Sequence, residues 1–190
     1  SIIFRKCAIN KYKRGKFLMA ILYKNFKTSF LNFGPLLMLY YLSISEIDTE
    51  FSNMFEILSF NLQIIIIYYW ALKDQSIIGN GHIFLAGIIN DVVMGLPMGI
   101  SAISYLTVAF IATYIKNVTV NFSLFTDWFT FIIAIFFSNL IFFILITNFS
   151  NLKLIYTDLF YNAFFTFLFY PLFWVFFNLL KKIMVLKKDD

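Results

Sequence analysis

The sequence predicts an all-α, polytopic membrane helix bundle of about six transmembrane helices with both termini in the cytoplasm. Of the 190 residues, 61% are hydrophobic and only 13% are charged, about half the charged share of an average soluble domain. Predominantly apolar runs such as residues 129–147 and 160–180 reach the ~18 residues that mark a bilayer-spanning helix. Because such runs use nearly all of the chain, we expect one membrane domain and no separate soluble domain.

Residues 1–28 form a basic segment, which we place in the cytoplasm. In a helical projection, four lysines share one face and apolar side chains occupy the other: Lys13, Lys16, Lys24 and Lys27 against Leu18, Ile21, Leu22 and Phe26. This pattern is typical of an amphipathic helix that lies on an anionic membrane surface. Nucleic-acid binding is the rival interpretation of a basic segment, but we favour the membrane surface because membrane spans follow directly.

Residues 29–180 form the membrane domain, and residues 181–190 form a charged cytoplasmic tail. The predicted spans are residues 29–47, 57–72, 77–95, 99–115, 124–147 and 156–180. The second span ends in Tyr68-Tyr69-Trp70, which suits a membrane interface because aromatic rings collect at the level of the lipid headgroups.

The distribution of basic residues predicts the orientation. Cytoplasmic loops of membrane proteins collect lysine and arginine. With both termini inside, 14 of the 15 basic residues lie on the cytoplasmic side and only Lys153 lies outside. Flipping the chain or removing one span would spoil this separation, so the charges support the six spans as well as the orientation.

The third predicted span carries the most information. Gly87, Asp91 and Gly95 follow at i, i+4 and i+8, so they share one helix face. His82 and Asn90 lie on an adjacent polar face. Small residues allow a neighbouring helix to approach closely, and we therefore expect this helix to be the packed centre of the bundle.

Asp91 lies well inside a predicted span, where a charge must face a partner, a cavity or the aqueous edge. Three interpretations are open: Asp91 holds the turn at residues 95–99 by accepting backbone N–H bonds, it contacts a partner protein, or it forms a proton or solute site. We interpret His82 as a hydrogen-bonded packing residue. Asp127 and Asp158 are predicted to cap the positive ends of the fifth and sixth helices.

The polar residues of the spans suggest packing and not catalysis. Cys7 and His82 are the only cysteine and histidine, so neither an internal disulfide nor a zinc site of these residues is expected. We find no Walker-type loop and no nucleophile elbow, and we expect neither an enzyme nor a cofactor. Five amides could hydrogen-bond between helices: Asn61, Gln63, Asn139, Asn162 and Asn178.

One motif suggests a family. After Tyr69-Trp70 ends the second span, the sequence continues through a short polar loop to GIINDVVMGLPMG at residues 87–99. This pattern, in which Gly87, Asp91, Gly95 and Gly99 recur at every fourth position beside Pro97, resembles the rod shape-determining protein MreD family of bacteria. The strong part covers residues 68–105, while the length, the basic tail and the six spans match in general terms. The long basic start departs from the usual pattern.

The resemblance implies a non-catalytic subunit of the bacterial inner membrane that belongs to the cell-elongation complex, which maintains rod shape and directs peptidoglycan biosynthesis. It implies as partners the lipid bilayer, MreC, MreB, RodA and a class B penicillin-binding protein, with no nucleic acid. The alternative is the membrane substrate-binding subunit of a small-molecule, vitamin-type transporter. That alternative predicts a cavity lined by Asp91, Asn90 and His82.

Overall fold

Six α-helices form the part of the chain that the computed structural model describes, which is residues 33–45, 61–75, 77–119, 123–149 and 156–186. In chain order they are α1 (Phe33–Ile44), α2 (Leu62–Lys73), α3 (Asn80–Val93), α4 (Ile100–Val118), α5 (Leu124–Phe149) and α6 (Tyr156–Leu186). These ranges contain no strand, so the all-α prediction is confirmed, and each helix overlaps one predicted span. The basic segment 1–28 and residues 187–190 lie outside the described residues.

Helix α2 is the centre of the bundle. Every residue from 63 to 72 is buried, and α2 contacts α4, α5 and α6. The prediction that the third span occupies the centre is wrong, because α3 leaves Phe84, Leu85 and Val92 exposed. The physical reason lies in the pattern of each helix: α2 is apolar nearly all round, as buried helices are, whereas the buried residues of α3 share one face.

The aromatic run at the end of α2 packs inside the protein. Tyr68, Tyr69 and Trp70 have no exposed surface, so the interpretation as membrane-interface residues is wrong. The Tyr68 ring lies 4.8 Å from the Phe131 ring of α5, and the Tyr69 ring lies 5.2 Å from the Phe177 ring of α6. These ring contacts pack α2 against α5 and α6, the two longest of the described helices.

Helices α2, α4 and α6 run in the same direction. A hydrogen bond from the Tyr105 hydroxyl to the Gln63 side chain joins α2 and α4 near their N-terminal ends. Towards the other end of α2, Tyr69 Oη donates to Asn178 Oδ1 over 2.7 Å, and Lys181 Nζ lies 3.5 Å from the Lys73 carbonyl. Lysines therefore collect at the C-terminal ends of these parallel helices.

Within the described ranges, two segments are long and apolar enough to cross a bilayer, by their length and composition alone: Leu124–Phe149 and Leu159–Lys182. The first has 26 residues and the second 24, which correspond to about 39 Å and about 36 Å of helix. The hydrocarbon core of a bilayer is about 30 Å thick. These two helices indicate, weakly, an association with a membrane.

Candidate functional site

The candidate site is the hairpin of α3 and α4, where Asp91 caps the following helix. Its Oδ2 accepts the Gly99 backbone N–H at 2.7 Å, and its Oδ1 accepts the Ser101 backbone N–H at 2.8 Å. Gly99 is the N-cap residue of α4 and has no side chain to satisfy the first free N–H groups of the helix. Asp91, which is completely buried, supplies the missing acceptor, and its negative charge lies at the positive end of the α4 dipole.

The backbone of Asp91 also closes the end of α3. Its carbonyl accepts the Leu96 N–H at 2.8 Å, and the Gly95 N–H lies 3.3 Å from the Val92 carbonyl. These two bonds form a Schellman motif, which requires a left-handed residue just after the helix. Gly95 provides it with φ +64°. Asp91 therefore links the last turn of one helix to the first turn of the next.

Gly87 is the point of closest approach between α3 and α4. A Cβ atom at this position would lie 2.3 Å from Ala102 Cα and 2.6 Å from Ala102 N. Only a residue without a side chain fits against that backbone, so the predicted close approach at Gly87 is confirmed and its partner is Ala102.

A buried chain of polar side chains joins the hairpin to α1 and α2. Asn90 Nδ2 donates to Ser101 Oγ at 3.1 Å, and Asn90 Oδ1 accepts from Gln63 Nε2 at 3.2 Å. Gln63 Nε2 lies 3.4 Å from Ser43 Oγ, and Gln63 Oε1 accepts the Tyr105 hydroxyl. All five side chains are more than nine-tenths buried. We call Ser43, Gln63, Asn90, Ser101 and Tyr105 the polar network.

The polar side chains of this arrangement bond to backbone groups and to one another, and so they connect the helices. Both oxygens of Asp91 accept backbone N–H bonds, and the amides of the polar network bond to one another. Of the interpretations of Asp91, the one in which it accepts backbone N–H bonds from the turn is confirmed. Within the described part of the chain, no group of three or more His, Cys, Asp and Glu residues could hold a metal ion.

His82 and Pro97 lie away from this network. His82 is exposed on α3, where its Nδ1 lies 3.0 Å from the Tyr40 hydroxyl of α1. Pro97 is a half-buried turn residue whose carbonyl lies 3.5 Å from the Ile100 N–H. The structure therefore brings Asn90 and Asp91 to the α3–α4 hairpin, whereas His82 pairs with a different helix.

A second polar cluster, which the sequence did not reveal, joins α2, α5 and α6. Lys73 Nζ lies 2.7 Å from Asp127 Oδ2, and Trp174 Nε1 donates to the same oxygen at 2.9 Å. Asp127 is 1% exposed. The prediction that Asp127 caps α5 is wrong, because Ser123 Oγ accepts the Thr126 N–H at 3.2 Å and takes that role. The side chain of Asp158 lies outside the described residues.

In the same region, a side chain of α5 replaces a backbone hydrogen bond that is missing from α6. Pro171 lies inside the helix and has no N–H to donate to the carbonyl of Phe167, four residues earlier. Trp128 Nε1 of α5 donates to that carbonyl at 2.9 Å. The indole of one helix therefore replaces the backbone bond that proline removes from the other, which ties α5 to α6.

Comparison with known proteins identified no matching family model, curated protein or solved structure.

Proposed function

We propose that this chain is a multi-pass, non-catalytic subunit of the bacterial inner membrane, with six spans and both ends in the cytoplasm. We further propose that it acts as a scaffold in the cell-elongation complex, in the manner of the MreD family that residues 68–105 resemble. In this role the chain holds partner proteins in place and transforms no substrate.

The use of the Asp91 carboxylate carries this proposal. A solute site needs polar groups that are free to exchange partners, whereas both Asp91 oxygens hold the N-terminus of α4. The neighbouring amides of Asn90 and Gln63 bond to each other. The polar residues of the motif are therefore occupied in fixing the hairpin, which supports a scaffold over a transporter subunit that would use Asp91, Asn90 and His82 for a substrate.

The arrangement of the lysines supports the orientation. Lys73 and Lys181 lie together at the ends of parallel helices α2 and α6, and Lys116 lies in the last turn of α4, which runs in the same direction. The three lysines therefore lie at the same end of the bundle, and lysine and arginine collect on the cytoplasmic side of membrane proteins. This end would face anionic lipid and the cytoplasmic filament protein MreB, while the α3–α4 turn would face the outside.

The proposal is tested by depletion of the protein in its source bacterium. We expect cells to become round, and we expect wild-type protein to restore rods and to co-purify with MreC, RodA and a class B penicillin-binding protein.

Two variants of α3 test whether the packed hairpin is needed for this role. Gly87→Leu should fail to restore shape, because the side chain cannot fit against Ala102, whereas Gly81→Ala on the open surface of the same helix should restore it. Rod-shaped cells after complete depletion would overturn the proposal.

A further inference from the structure

Helices α5 and α6 enclose an apolar groove with one amide in it. The groove has a volume of about 460 Å³ and is lined by Ile132, Phe136 and Asn139 of α5 and by Leu159, Ala163 and Phe167 of α6, among others. Asn139 is the polar side chain of this lining and is half-buried. Among the described residues, the Asn139 side chain makes no hydrogen bond.

The position of Asn139 along α5 suggests that an amide without a hydrogen bond would raise the free energy of the protein in a membrane. At 1.5 Å per residue it lies about 22 Å from Leu124 and about 15 Å from Phe149, which places it near the middle of a hydrocarbon core of about 30 Å. Water and lipid headgroups do not reach that depth, and an unpaired polar group there costs free energy. The Asn139 amide therefore has no hydrogen-bonding partner at this depth among the residues that the structure describes.

We propose that this groove is the contact between two copies of the chain, paired about a two-fold axis that passes beside Asn139. This inference rests on the proposed membrane-spanning bundle. A carboxamide both donates and accepts hydrogen bonds, so two Asn139 side chains related by a two-fold axis satisfy each other reciprocally. Two copies inserted in the same orientation also bring their Asn139 residues to the same depth. The rest of the lining is apolar, and its exposed side chains Ile132, Phe136 and Leu140 would pack against the same residues of the second copy.

Cysteine cross-linking tests the contact directly. Cys7 is the only cysteine, so Cys7→Ser gives a background in which Asn139→Cys is the single thiol. Oxidation in membranes should link two chains through this residue and double the mass of the 22.4 kDa chain, because residues on the axis meet the short Cβ–Cβ distance of a disulfide. Phe137→Cys, on an exposed face of α5 outside the groove lining, is the matched control and should remain monomeric.

A second measurement keeps the test independent of the cysteine. In vesicles, the dissociation constant of the dimer should rise about tenfold in Asn139→Leu, since an interhelical bond in a membrane contributes ~1–2 kcal/mol. Asn139→Gln should retain much of the association. Unchanged dimerisation in Asn139→Leu, equal cross-linking at positions 137 and 139, or cross-linking of Asn139→Cys to a different protein would overturn the inference. If Asn139→Cys cross-linked as expected but cell shape did not depend on the protein, the proposed function would be overturned and the dimer contact would stand.

Discussion

The Asp91 carboxylate and the Gly99 backbone N–H lie 2.7 Å apart, although α3 ends between them and α4 begins directly after Gly99. The same carboxylate accepts the Ser101 N–H, and the Asp91 carbonyl accepts the Leu96 N–H. Asp91 therefore satisfies three backbone donors of the turn, one on a buried residue and two on half-buried residues.

Asp91→Ala should destabilise the protein by about 2–4 kcal/mol, because two N–H groups at the start of α4 lose a charged acceptor. Asp91→Asn keeps one carboxamide oxygen as an acceptor and should lose less. Thermal unfolding of the detergent-solubilised chain measures both variants. Equal melting temperatures for Asp91→Ala and the wild type would contradict the capping role.

Gly87→Ala should be destabilising by about 1–3 kcal/mol, because the new methyl group overlaps the Ala102 backbone and forces the helices apart. Gly81→Ala is the matched control in the same helix, where an added Cβ has no neighbour within 4 Å. That control should be neutral or stabilise α3 by up to about 1 kcal/mol. If both variants lost equal stability, close packing at Gly87 would not be the cause.

Gly99→Ala should cost about 1–2 kcal/mol, because alanine is strained at φ +105° although space for its methyl group is available. Gly79 holds the same N-cap position at the start of α3, but with φ −74°. Gly79→Ala should therefore have little effect on the melting temperature. A comparable loss in the two variants would indicate that the N-cap position matters, and not the left-handed conformation of Gly99.

Lys73→Met should destabilise more than Asp127→Asn. The first change leaves the Asp127 charge, which is 1% exposed, without its cation, and such a loss typically costs about 3–5 kcal/mol. The second change leaves Lys73, whose side chain is 14% exposed, and keeps an oxygen for the Trp174 indole. The double variant should recover part of the loss in chemical denaturation. A reversed order would contradict burial of the aspartate as the main cost.

Trp128→Phe should cost about 1 kcal/mol in the wild type, because the Phe167 carbonyl loses its donor. In a Pro171→Ala background the backbone N–H of residue 171 can bond to that carbonyl, and the same tryptophan change should then cost less. The double-mutant cycle, measured by thermal unfolding, isolates this coupling. Additive effects would show that the indole does not compensate for the proline.

Local features of the site were predictable from the sequence, whereas contacts between distant helices were not. Spacing placed Gly87, Asp91 and Gly95 on one face, and their close-packing, capping and turn functions follow from residue type and periodicity. Asp127 was misassigned because position near a helix start suggests a cap. Its actual partner, Lys73, lies 54 positions earlier in the sequence (127 minus 73), and no spacing rule relates the two.

By itself, the sequence determined that the described chain is helical, approximately where each described helix lies, and which turn follows Asp91. These properties depend on apolar periodicity, glycine conformation and short-range hydrogen bonds. Only the tertiary structure decided that α2 is the central helix, that Tyr68-Tyr69-Trp70 is enclosed, and that Gln63 joins Asn90 and Tyr105. The physical reason is that burial and long-range pairing depend on which helix surfaces meet, and many surfaces of a strongly apolar chain are equally suited to being covered.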